Sequence, residues 1–202
     1  MNKKIFDDLA ELFNSHNYRL YMIGGTTRDF LLNKEVYDYD FVTDATPDEM
    51  KSFLTDANYV FAKYGTVKVK VDGVHVDITT LRKESGYIDS RHPNEIIFTK
   101  NLEEDYIRRD FTINAIYLDE KYNPIDFCRG ILDLKNKVIR FIGDPVKRIK
   151  EDPLRILRAE RFKEKLGFEY EEKTAIALKE NHDLINKLNP DKIKEENRKL
   201  HN

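Results

Sequence analysis

Residues 23–29 read Ile-Gly-Gly-Thr-Thr-Arg-Asp, and Asp38-Tyr39-Asp40 follows within a dozen positions. Gly24 and Gly25 close an apolar stretch and open a helical one. Helix-start N–H groups, approached closely where no side chain intervenes, suit an anion such as a triphosphate. Asp38 and Asp40 alternate in a strand-like sequence, which puts two hard oxygen ligands on one face for a divalent cation. Together they predict a site of metal-dependent nucleotidyl transfer. Taken singly, each has a plainer alternative. The glycines fit a tight strand-to-helix turn, the aspartates fit solvated carboxylates at a strand end, and Arg28 with Asp29 fits an exposed pair.

The surrounding elements must hold these residues in place. Ile5, Leu9, Leu12 and Phe13 recur at helical spacing and predict an amphipathic helix over 3–14. A buried strand over 18–23, a short helix over 26–32 with Asn33 as a left-handed stop, and a strand over 37–43 follow. Thr46-Pro47 is an N-cap with proline at the first helical position, launching a helix to about residue 54. Stretches 66–71 and 74–80 alternate in polarity about Asp72-Gly73, a hairpin signal. Its second strand places His75, Asp77 and Thr79 on one face; Asp77 suits a third active-site carboxylate or a half-exposed strand residue equally well. Residues 82–97 are polar and irregular and predict a mobile loop. A helix over 102–109 and a second hairpin, 115–118 with 124–127, follow. From Pro145 the pattern is helical only: 145–151, 153–166, about 171–180 and about 191–201.

Composition narrows the class. The chain has 202 residues, 36% of them charged, with a formal net charge of −2. That balance favours a globular protein with no global pull toward nucleic acid, so RNA contacts must come from local patches. From residue 147 onward the sign shifts, with 15 Lys/Arg against 12 Asp/Glu. Lys147, Arg148, Lys150, Arg161 and Lys163 are a candidate patch, or simply solvated helix faces. The single cysteine, Cys128, excludes an internal disulfide and a Cys-based zinc site and fits a reducing compartment. No apolar run is of membrane-spanning length, and Asp7 and Asp8 interrupt the start too early for a signal peptide, so cytoplasm is the expected location.

Two later motifs stand in order behind the first pair: Arg108-Arg109-Asp110-Phe111-Thr112-Ile113-Asn114-Ala115, and Glu151-Asp152-Pro153-Leu154-Arg155-Ile156-Leu157-Arg158-Ala159. With all four motifs, from about residue 18 onward, the chain resembles the class II tRNA nucleotidyltransferases, the CCA-adding enzymes and bacterial poly(A) polymerases of the polymerase-β superfamily. The resemblance implies an α+β fold: a polymerase-β-like head with a mixed sheet over 1–143, then an all-helical, nucleotide-selecting neck over 144–202. It also implies that longer relatives continue into body and tail domains that grip tRNA.

By that resemblance Asp38 and Asp40 hold two Mg2+ ions in a two-metal transfer that releases pyrophosphate, and Gly24, Gly25 and Arg28 belong to the triphosphate-binding element. Thr26-Thr27 stands where a small or apolar residue is more usual. Asp110, with Arg109 beside it, is implied to contact the sugar hydroxyls, and Asn114 matches the same motif without an assigned role. Asp152 and Arg155 are implied to read the Watson–Crick edges of cytosine and adenine without a template, with Arg158 one turn on as partner for base or phosphates. The amino group that cytosine and adenine share can donate to a carboxylate, while arginine donates to ring nitrogen or carbonyl. The bland alternative is that Asp152 caps the helix begun by Pro153 and Arg155 is solvated. Asp126, Gly130 and Asp133 resemble a head–neck hinge motif. The segment 82–97, with Tyr87, Asp89, Arg91 and Pro93, resembles the loop that lets such enzymes switch from C to A.

The implied activity is addition of CMP and AMP from CTP and ATP to the 3′ end of tRNA. Poly(A) polymerase shares every motif, and a truncated nucleotide- or RNA-binding module without activity is the reading from another class. Membrane partners are not expected, and oligomeric state is not legible in the sequence.

Overall fold

The computed structural model describes residues 2–87 and 93–201, which fall into two compact units. The first unit comprises Met1–Glu84, Ile96–Arg108 and Asn114–Phe127. It opens with α1 (Lys3–Ser15), started by the Asn2 side chain accepting from the Lys4 N–H, and α1 buries Ile5, Phe6, Leu9, Ala10 and Phe13. Strand β1 (Leu20–Met22) leads into α2 (Gly24–Leu31), so the glycine pair forms the first turn of the helix itself. Asn33 has φ 55 and stops it, as expected. Strand β2 (Tyr39–Thr43) begins one residue after Asp38. Helix α3 (Pro47–Met50) carries a reciprocal Thr46–Glu49 capping box and stops short of the expected residue 54.

Strands β3 (Thr66–Val71) and β4 (Val74–Thr80) form the expected hairpin. Asp72 and Gly73 have φ of 50 and 82, the double left-handed turn that matches strand twist. The expected loop over 82–97 needs correction. Strands β5 (Arg82–Tyr87) and β6 (Pro93–Phe98) make a separate two-stranded sheet. Polar side chains hide the period-2 signal there, and the base of β5 is held by charge: the Arg82 N–H donates to Asp105 and its Nε to Glu84. Asp89 and Arg91 lie outside the described residues. Helix α4 (Leu102–Asp105) runs into a 3-10 turn, and β7 (Ile116–Leu118) pairs antiparallel with β8 (Pro124–Asp126) as expected.

The main sheet is mixed, ordered β3-β4-β2-β1-β7-β8, and only the β2–β4 pair among its registered neighbours is parallel. Its two faces are distinct. Leu20, Met22, Tyr39, Phe41, Val67, Val76 and Ile78 pack with α1 in the larger core. The alternate residues Tyr21 and Val42 join Ile23, Leu81 and Tyr117 on the opposite face. Asp40 therefore belongs to the face away from the main core.

The second unit comprises Ser85–Glu95, Arg109–Ile113 and Cys128–Asn202. It contains α5 (Gly130–Asn136), β9 (Val138–Ile139), α6 (Pro145–Glu151), α7 (Leu154–Leu166), β10 (Glu169–Tyr170), α8 (Glu172–Glu180) and α9 (Pro190–His201). From residue 145 onward it is helical except for β10, which pairs parallel with β9. Residues 128–143 belong to this unit, and the last change of unit along the chain falls between Phe127 and Cys128. Phe111 packs tilted on Phe141 and edge-to-face on Phe162, with ring centroids 4.7 and 5.6 Å apart. Among the described residues no helix is long and apolar enough to cross a membrane.

Candidate active site

In the first unit, Gly24 has φ +68, a conformation costly for residues with a side chain. A Cβ built there would lie 3.5 Å from Asp40 Oδ2, so the start of α2 and the second aspartate are in direct apposition. The Ile23 N–H donates to the Asp40 carbonyl at 3.2 Å. The Thr26 hydroxyl donates to the Asp38 carbonyl at 2.9 Å and accepts from the Asp40 N–H at 2.7 Å. Asp38 is exposed and Asp40 half-buried. The two carboxylates are thus held by main-chain bonds on either side of Tyr39.

Arg28 is buried rather than surface-exposed. Asp29 clamps it in a fork, with Nε to Oδ1 and Nη2 to Oδ2 both at 2.9 Å, and Nη1 donates to Asn114 Oδ1 at 2.9 Å. Nη2 also lies 3.6 Å from where a Gly25 Cβ would stand. Asn114 thereby acquires a role: it orients the cation beside the glycine pair. Asp77 is the register partner of Asp40 across the parallel β2–β4 pair, on the face opposite the buried Val76 and Ile78. Lys68, its antiparallel partner on β3, contacts both Asp77 oxygens at 2.9 and 2.8 Å.

The donor chemistry here fits a divalent ion. Two carboxylates on one strand face suit a hard divalent cation such as Mg2+, which favours one or two protein carboxylates completed by substrate phosphates and water. Among the described residues no group of three His, Cys, Asp or Glu is placed to hold a metal alone.

In the second unit, Asp110 is buried and its Oδ1 accepts the Phe111 N–H at 2.7 Å. Its Oδ2 accepts Arg158 Nε at 2.8 Å and also Arg158 Nη2. Burial pushes the carboxyl up, but the Arg158 charge and hydrogen bonds outweigh it, and the group is lowered to about 2. The Asp110–Thr112 segment is stitched to Arg140 and Ile142 by main-chain bonds of 3.0 and 2.9 Å around an isolated Phe111–Phe141 bridge. Asp133 of the hinge-like motif is buried and holds Thr112 and Arg140.

Arg155 is also buried, not solvated. Its Nη1 donates to the Arg148 carbonyl at 2.7 Å and to Glu151 at 3.0 Å, while Arg148 bridges Glu151 and the Arg109 carbonyl. Asp152 sits between α6 and α7, its carboxylate accepting the Leu154 N–H at 3.1 Å. That bond steadies the turn between the two helices, Pro153 itself standing at the start of α7, and it anchors the carboxylate one turn from Arg155. Thr26, Asp29, Lys68 and Arg148 are the contributors that motif reading passed over. Only Arg148 carried a signal, its helical spacing of three and seven residues from Glu151 and Arg155.

A glycine-started helix set against an Asp-x-Asp strand on a mixed sheet, followed by a helical unit, defines a polymerase-β-like nucleotidyltransferase head with an adjoining helical portion. The chain belongs to the poly(A) polymerase head-domain family, which it matches over residues 20–140. It is 45% identical over 179 residues to a CCA-adding enzyme of Lactobacillus helveticus, covering 89% of this chain and 45% of that one. The Bacillus stearothermophilus CCA-adding enzyme solved in complex with CTP superposes with a TM-score of 0.89 at 32% identity, over 99% of this chain and 49% of that one. A tRNA nucleotidyltransferase complexed with a primer tRNA and an incoming ATP analog gives a TM-score of 0.76 at 35% identity, over 94% and 55% of the two chains. The chain thus spans about half the length of these relatives.

Proposed function

We propose that this chain carries the catalytic and nucleotide-selecting portion of a cytoplasmic CCA-adding enzyme, transferring CMP and AMP from CTP and ATP to the 3′ end of tRNA. The apposition of the Gly24 helix start and Asp40 is the observation that carries this reading. The tRNA 3′-oxygen bonds to the α-phosphorus of the nucleotide, and pyrophosphate leaves. Asp38 and Asp40 would hold Mg2+, which when bound supplies charge neutralisation on the triphosphate and activation of the attacking hydroxyl. Asp77, in register beside Asp40, is assigned as the third carboxylate of this face. Gly24 and Gly25 let the triphosphate approach the α2 main chain, and the clamped Arg28 supplies fixed positive charge there.

In the second unit, Arg109 and Asp110 are assigned to the sugar, and Asp152 with Arg155 to the choice of C and A over U and G. Arg158 is assigned to keeping Asp110 ionised as well as to the nucleotide. The boundary between head and neck functions is placed at 143/144. A base choice made by pre-oriented groups requires no template, because an analogue with the wrong donor pattern leaves them without partners.

Poly(A) polymerase is the second reading, favoured by the description of the matching family itself. Incorporation into a tRNA transcript lacking its CCA end, with each NTP alone and then all together, tests both. Ordered addition of C, C and A supports CCA addition, and extended A-only tails on unstructured RNA support the polymerase. Nucleotide binding without incorporation supports a binding module and overturns the catalytic reading for this chain.

A further inference from the structure

Of the residues in the Gly-Gly element, Thr26 alone touches the main chain of both aspartates. Thr26 is 1% exposed, and the donor and acceptor capacities of its hydroxyl are used on opposite sides of Tyr39: out to the Asp38 carbonyl, in from the Asp40 N–H. Asp40 is additionally held at its carbonyl by the Ile23 N–H. Its peptide is therefore fixed at both ends by the segment that begins α2. The hydroxyl thereby fixes the main chains of Asp38 and Asp40 relative to each other, and both carboxylates project from that fixed backbone. The next residue supplies a natural contrast. Thr27 is wholly buried, yet its hydroxyl has no hydrogen-bond partner among the described residues.

We propose that Thr26 is a positioning residue that sets the separation of the Asp38 and Asp40 carboxylates, and so the affinity of that pair for a divalent cation. The inference rests on the metal reading of the two aspartates given above. The triphosphate-binding helix and the metal-binding strand are thereby one mechanical unit, coupled through a single hydroxyl. Valine at 26 keeps the shape but removes both bonds and leaves the half-buried Asp40 N–H without this acceptor.

The test uses the whole 202-residue chain. Mn2+ binding is followed by the electron paramagnetic resonance of the free ion, with and without CTP, in the wild type, Thr26→Val, Thr26→Ser, Thr27→Val and Asp40→Ala. Thr26→Val is expected to weaken Mn2+ binding about tenfold, the worth of roughly one to two such hydrogen bonds. Thr26→Ser restores it and Thr27→Val leaves it unchanged. Mn2+ bound by the wild type, lost in Asp40→Ala and undiminished in folded Thr26→Val overturns the inference alone. A Thr26→Ser variant as weak as Thr26→Val also overturns it. A wild type that binds no Mn2+ overturns the metal reading as well. Should Thr26→Val not fold, Thr26→Ala removes the same two bonds and is read in its place.

Discussion

The two halves of the proposed machinery are held in place by different physics. Asp38 is exposed and Asp40 half-buried, and both are positioned through their main chain, by the Thr26 hydroxyl and the Ile23 N–H. In the second unit the charged side chains are themselves the scaffold: Arg158 on Asp110, and Arg148 and Arg155 together on Glu151. Groups meant to receive a strongly hydrated cation keep their carboxylates facing water, since burying them would raise the cost of ionisation. Groups meant to discriminate between bases do better locked in advance, because rigidity makes a mismatched donor pattern expensive. The buried pair of the second arrangement should leave a signature in the acid range.

The largest effect should come from the open half. Asp38→Ala or Asp40→Ala is expected to lower incorporation about a thousandfold or more with unchanged circular dichroism, since metal-held charge supplies several kcal/mol to such transfers. Near-normal turnover in either would break the comparison at its first term. Arg155→Ala is expected next, relaxing selection of C and A over U and G by about tenfold to a hundredfold, read from single-nucleotide incorporation.

The buried pair gives a pH signature. The Asp110 carboxyl is lowered from 3.8 to about 2, so its contribution is present above the unfolded value and lost as pH falls through the folded one. Urea denaturation from pH 5 to about 2 should show roughly 2 kcal/mol less stability at the acid end, an increment absent in Arg158→Met. Gly24→Ala should cost about 1–2 kcal/mol from its left-handed φ, seen as a lower midpoint of thermal denaturation. The smallest effect is Lys68→Met: its partner Asp77 is about one-third exposed, and the pair should be worth no more than about 1 kcal/mol in the same assay.

Much of this was legible from residues 23–40 alone, because a glycine pair, an arginine and alternate aspartates each have few structural uses. Periodicity located α1, the β3–β4 hairpin and the helices beyond Pro145, where apolar spacing is regular. It failed over 82–98, where strands carry polar residues and pairing is fixed by main-chain bonds and by Asp105 across a gap of more than twenty residues. Short α5 was passed over for the same want of an apolar stripe. Motifs named Arg28, Asn114, Asp110 and Arg158 separately, but the pairings Arg28–Asn114 and Asp110–Arg158 span 86 and 48 residues and have no local signal. Thr26 read as a departure from pattern, since a hydroxyl's two partners lie on a strand that the sequence places only approximately.

The most direct test of the division between transfer and selection is a side-by-side measurement of CTP and UTP in wild type, Asp40→Asn and Arg155→Ala. Incorporation rate gives one axis and the CTP-to-UTP ratio of nucleotide affinity gives the other. The account predicts that Asp40→Asn loses rate but keeps the affinity ratio, while Arg155→Ala keeps most of the CTP rate and loses the ratio. Both variants losing rate and ratio together would contradict it.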